Sequence, residues 1–146
     1  MTCFQSIGSS GGDVAPLRVL VVDDLVDAAQ TMARLLKLLD CEVQTAHTGQ
    51  LALQIAGEFS PHIVLLDLGL PGMDGFEVAR SLRVHPLTTR AMIVALSGYG
   101  DAAAREQAAE AGCDEHWLKP ARIEQLKELI AAQRSAVQRV PVLAAS

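Results

Sequence analysis

Aromatic side chains are scarce in this 146-residue chain, which has one Trp, one Tyr and three Phe. So few rings cannot form a stacking platform for bases, and a net charge of −5 offers no basic face to phosphates. No nucleic acid is therefore expected as a direct partner. Cysteine is also sparse. Cys3, Cys41 and Cys113 are isolated, odd in number and without metal-ligand spacing, and they read as reduced thiols of a cytoplasmic protein. No apolar stretch approaches the ~20 residues that span a bilayer, so no membrane segment is expected. The opening MTCFQSIGSSGGDVAP has neither the basic nor the apolar region of a signal peptide.

What remains is ordinary globular material: half of the residues are hydrophobic and 20% are charged. Residues 1–16 are Gly/Ser-rich around SSGG and read as a flexible leader, residues 17–134 as one domain, and residues 135–146 as a tail or linker. Within the domain, apolar runs alternate with helical periodicity. Strands are predicted at 17–22, 41–46, 62–67, 91–97 and 115–118. Helices are predicted at about 25–39, 49–58, from after Asp74-Gly75 to Arg83, from an N-cap at Asp101 to a stop near Gly112, and at 122–134. Pro141 is read as closing off any further helix. Five strand–helix units with short connections imply an α/β fold, a doubly wound parallel sheet with helices on both faces.

Four of the apolar runs end on polar residues. LRVLVV runs into Asp23 and Asp24, HIVLLD ends on Asp67, AMIVALS on Ser97, and HWLK on Lys119. Parallel strands share a direction, so these groups should converge on the edge where open α/β sheets bind ligands. Carboxylates ~5 Å apart at an effective dielectric of ~20 repel by about 3 kcal/mol per pair. Such a cluster persists with a cation, a shared proton or coupled titration. With oxygen ligands and no His or Cys nearby, a hard ion is favoured, Mg²⁺ before Ca²⁺ or Zn²⁺. The plain alternative is that Asp23 or Asp24 merely caps the first helix.

Asp67 is the candidate nucleophile, because a carboxylate can accept a phosphoryl group as an acyl phosphate. The transferring group must have its oxygens neutralised. Lys119 can supply an ammonium, and Ser97 and the backbone N–H of Gly98 can donate hydrogen bonds. Against these roles stand an ordinary strand-end hydroxyl for Ser97 and a solvated surface side chain for Lys119.

These motifs resemble those of a response-regulator receiver domain, in order, over about residues 16–134. VLVVDD resembles its acidic pair, IVLLDLGLPGMDGFEVAR its phosphoacceptor strand, loop and helix, ALSGYG its hydroxyl strand, and AGCDEHWLKP its Lys-Pro motif. The resemblance implies a flavodoxin-like sheet of order 2-1-3-4-5 and phosphorylation of Asp67. It further implies Mg²⁺ held by Asp24 and Asp67 directly, by Asp23 largely through water, and by the Gly69 carbonyl. A cis peptide before Pro120 is implied as well. The donor would be a histidine kinase or histidine phosphotransfer protein, docking near Leu25. A downstream protein target or a kinase core would read the face formed by 101–111, 115–118 and 122–134. The chain would act as a monomer or weak dimer, a switch that catalyses its own phosphorylation and dephosphorylation.

Two positions depart from the family pattern. His116 stands where a Tyr or Phe switch is common, so either an imidazole plays that part with Ser97 or the residue is a half-exposed edge side chain. Ala121 follows Pro120 where Phe is common, which puts the usual dimer face in doubt. Competing functions are a pseudo-receiver acting only through protein contacts and an aspartyl-phosphate phosphatase. The latter needs an acid two residues after the nucleophile, where this chain has Gly69. Neither Walker A nor GxGxxG follows the first strand, which argues against a nucleotide-binding module.

Overall fold

The computed structural model describes residues 16–70, 72–98 and 102–145. Strands and helices alternate as β1 (Arg18–Val22), α1 (Val26–Leu38), β2 (Glu42–Ala46), α2 (Gly49–Phe59), β3 (Ile63–Asp67), α3 (Gly75–Val84), β4 (Met92–Ser97), α4 (Ala102–Glu110), β5 (Glu115–Leu118) and α5 (Ile123–Ala145). All four strand pairings are parallel, in the order β2-β1-β3-β4-β5, which is the 2-1-3-4-5 sheet that the motifs implied.

The uninterrupted apolar runs are explained by a sheet covered on both faces. With a side-chain period of two, Val19, Val21, Ile63, Leu65, Val94, Leu96 and Trp117 pack with Ala29 and Leu36 of α1 and with Leu126 and Ile130 of α5. Their neighbours Leu20, Val22, Val64, Leu66 and Ile93 pack on the opposite face with Ala52 and Ala56 of α2 and with Val78 and Leu82 of α3. β3, at the centre of the sheet, is buried along its whole length, Asp67 included.

Local signals set the helix ends. Thr48 Oγ1 accepts the Leu51 N–H at the start of α2, and Asp74 with Glu77 forms a capping box on α3. Gly112 takes φ +101° just past α4, the left-handed stop that the sequence predicted. Gly75 is required by close approach: a Cβ there would lie 2.8 Å from the Leu68 Cα and 3.0 Å from the Asp67 carbonyl. This tight seat brings the start of α3 against the loop that follows the candidate nucleophile.

One prediction is overturned. The last helix does not end at Arg134 but runs on to Ala145, through Pro141, so most of the expected tail is helical. Arg134 donates to the carbonyls of Leu39 and Asp40, at 2.9 and 3.2 Å, and Val137 packs against the α1/α5 core. Those anchors carry the helix past the point where sequence periodicity faded, through Ala, Gln and Arg residues of good helix propensity. Proline weakens a helix by the loss of one N–H and by local crowding, without forbidding it. The predicted leader, the Asp101 cap and Cys3 lie outside the described residues.

No helix among the described residues is long and apolar enough to cross a membrane. Cys41 and Cys113 are free thiols. Burial raises both, Cys113 to about 11, so neither is a thiolate near neutral pH.

Candidate functional site

Register decides which side chains meet. Val22 lies opposite Leu66, so Asp23 and Asp24 leave β1 beside Asp67 at the end of β3. Asp67 lies opposite Leu96, and Ser97 opposite Leu118, which brings Ser97 and Lys119 to the same C-terminal edge. One carboxylate oxygen from each of Asp23, Asp24 and Asp67 lies within 4.8 Å of the other two.

Asp67 is only 4% exposed. Its Oδ1 accepts the Gly69 N–H at 2.9 Å, and its Oδ2 receives the Lys119 ammonium at 2.8 Å. Lys119 is therefore turned into the site and is not a solvated surface side chain. The Lys119–Pro120 peptide is cis, as the Lys-Pro motif implied.

Neither Asp23 nor Asp24 caps α1. The N-cap is Leu25, which offers no side-chain bond, while Asp23 Oδ1 accepts the Leu25 N–H at 3.0 Å. Burial, then the charges of Asp67 and Asp24, raise the Asp23 carboxyl above its usual range, outweighing the Leu25 N–H and the Lys119 charge. Three carboxylates facing one ammonium leave an excess of negative charge that a single divalent cation offsets. The donors are all oxygen, so the group could hold a hard metal ion.

A cleft of about 530 Å³ opens over this cluster, lined by Asp24, Asp67, Gly69, Ser97, Gly98 and Lys119 among others. Each predicted phosphoryl-contacting group thus borders one space. Gly69 leaves room there, since a Cβ at this position would sit 3.5 Å from Asp67 Oδ1, an ordinary contact. His116 lies opposite Ala95, two residues before Ser97 on β4, so both side chains share the α4 face of the sheet. Its Nε2 is 2.8 Å from Ser97 Oγ. The half-buried His116 is thus hydrogen-bonded directly to Ser97.

Sequence reasoning passed over three residues here. Phe76 and Gln107 line the cleft from α3 and α4. His47 donates from Nδ1 to the Asp23 carbonyl at 3.0 Å and steadies the β1–α1 turn. The signal for His47 was the register: Val22 pairs with Ala46, which puts the next residue of each strand side by side. A lone histidine after a strand carries no such information without the pairing.

The sequence matches the family model of the response regulator receiver domain over residues 19–131. It is 41% identical over 106 residues to the response regulator PleD of Caulobacter vibrioides, covering 70% of this chain and 23% of that protein. It is 31% identical over 123 residues to a probable chemotaxis protein CheY of Rhizobium etli, covering 84% of this chain and 95% of that one. Among solved structures it superposes with TM-score 0.72 and 31% identity on a Burkholderia pseudomallei response regulator that carries a phosphorylated aspartic acid, a calcium ion and citrate, covering 88% of this chain and 74% of that one. The chain thus spans about a quarter of the PleD relative and nearly all of the CheY relative.

Proposed function

The chain belongs to the response regulator receiver family, and from that premise we propose that it is a phosphorylation-controlled switch whose acceptor is Asp67. The observation that carries the reading is the state of Asp67: buried at the end of β3, held by Lys119 at 2.8 Å, and opening onto the cleft. That the Burkholderia relative carries a phosphorylated aspartate on the same fold supports it.

In the proposed step an Asp67 carboxylate oxygen attacks phosphorus, the bond from phosphorus to the donor histidine nitrogen breaks, and the imidazole leaves with that electron pair. Lys119 is already beside the nucleophile and follows charge onto a phosphoryl oxygen. The Gly98 N–H and the Ser97 hydroxyl border the same space and donate to the remaining oxygens. Asp23, Asp24, Asp67 and the Gly69 carbonyl would hold Mg²⁺. When bound, it neutralises the clustered carboxylates and the phosphoryl charge.

Phosphorylation adds about −1.5 to −2 charge at the sheet edge. Ser97 then exchanges its bond to His116 for one to the phosphoryl group, and His116 shifts with α4 and β5. The phosphate shifts the population of that face only by binding one arrangement better than the other. The donor is a histidine kinase or phosphotransfer protein, and the reader is a downstream protein or a kinase core. Gly69 carries no acid to protonate a leaving group, so turnover as a phosphatase of external substrates is disfavoured.

The test is phosphorylation of the full chain by a small phosphodonor with Mg²⁺. Wild type should form an acid-stable, base-labile acyl phosphate, and Asp67→Asn should form none. Label retained by Asp67→Asn would remove Asp67 from its role.

A further inference from the structure

At the opposite, N-terminal edge of the sheet lies a second cleft, of about 480 Å³, within the size range of small-molecule sites. Its polar walls include Arg18, His62, Arg90 and Gln133, and its apolar walls include Leu87 and Val137. Among the described residues no carboxylate lines it, although the chain as a whole carries a net charge of −5.

Two of its donors are held in place by backbone. Arg18 Nε donates to the Phe59 and Ser60 carbonyls, both at 2.9 Å, which pins the guanidinium by its inner nitrogen. Its two terminal amino groups make no hydrogen bond or ion pair among the described residues. His62 Nδ1 accepts the Arg18 backbone N–H at 2.9 Å, which places the proton of the neutral ring on Nε2. Burial and the Arg18 charge lower the His62 pKa, so the ring stays neutral near pH 7 and keeps that single N–H donor. Arg83, on the same edge, differs. Its Nε, Nη1 and Nη2 all meet protein acceptors, and it is a structural clamp. Arg18 is anchored with its fork uncommitted, the geometry that suits bidentate capture of a carboxylate or phosphate.

We propose that this cleft binds a small amphipathic anion, a phosphate or carboxylate head on an apolar body. Arg18 and the His62 Nε2–H hold the head, Arg90 adds long-range attraction, and Leu87 and Val137 receive the body. The site lies at the far end of the strands from Asp67, so its ligand is distinct from the phosphoryl donor.

The test is an NMR titration of the His62 ring in the full chain with phenyl phosphate, benzoate and inorganic phosphate. Phenyl phosphate or benzoate should shift the ring saturably in the millimolar range and raise its pKa, and whichever binds tighter assigns the head. Inorganic phosphate should bind about tenfold more weakly for want of the apolar body. Arg18→Gln should weaken binding about tenfold. Gln133→Glu, on the half-buried face of α5, keeps the helix and sets a carboxylate against the ligand, and should weaken it comparably. No saturable shift, or binding unchanged in Gln133→Glu, would overturn the proposal. Inorganic phosphate binding as tightly as phenyl phosphate would overturn its apolar half.

Discussion

At the C-terminal ends of β1 and β3, three carboxylates share one ammonium, whereas at the N-terminal ends of β4 and β5 one guanidinium is surrounded by acceptors. Arg83 donates to the carbonyls of Gly112, Thr89 and Ala91 and pairs with Asp114, whose Oδ2 also accepts the Ile93 N–H. That network joins α3 to the entries of β4 and β5 and leaves little charge uncompensated. The Asp67 cluster, at the opposite edge of the same sheet, keeps a surplus of negative charge and opens onto a cleft. A balanced network stabilises the native state, and an unbalanced one is held in readiness for a charge yet to arrive. On the proposed function, the same fold separates stability and chemistry to its two edges.

If the edges divide the work in this way, breaking the balanced one should cost most in stability. Arg83→Met removes the four-acceptor clamp and strands Asp114, and should lower the unfolding free energy by about 3 kcal/mol in urea denaturation. Phosphorylation of Asp67 in that variant should persist below the unfolding transition.

Loosening the unbalanced edge should have the opposite sign. Asp23 has its carboxyl raised above 3.8 by burial and by the charges of Asp67 and Asp24. The folded protein thus binds that proton more tightly than the unfolded chain, and stability falls as pH rises from 3.8 through the raised value. Asp23→Asn removes the penalty and should raise the melting temperature of the metal-free protein by roughly 2–4 °C. Mg²⁺ should stabilise wild type and do markedly less for the variant, as chelator addition during thermal melts would reveal.

The smallest effect concerns His62, whose pKa is lowered from 6.5 by burial and then by Arg18. Here the unfolded state binds the proton more tightly, so stability is lost as pH falls below about 6.5. His62→Gln should flatten that part of the stability–pH curve by well under 1 kcal/mol.

Much of the active edge was legible because strand ends in a parallel sheet converge by geometry alone. Asp24, Asp67, Ser97 and Lys119 each close an apolar run, and the Lys-Pro motif carried its own backbone signature. Less legible were features that depend on pairing between distant segments. His47 reaches Asp23 only through the β1–β2 register, and the continuation of α5 rests on Arg134 meeting the carbonyls that end α1. The Arg83 clamp was likewise hidden, since each of its partners is a backbone carbonyl or a residue about 30 positions away. Propensity at Pro141 pointed the wrong way because it is a local quantity, and tertiary anchoring upstream outweighed it.

The central claim is that Asp67, among three clustered carboxylates, is the one that takes the phosphoryl group. Borohydride reduction after phosphorylation converts an aspartyl phosphate to homoserine, and peptide mapping then reads its position. Homoserine should appear at position 67 alone and vanish when Mg²⁺ is chelated before the donor is added. Homoserine at position 23 or 24, or none in a folded and Mg²⁺-loaded protein, would contradict the account.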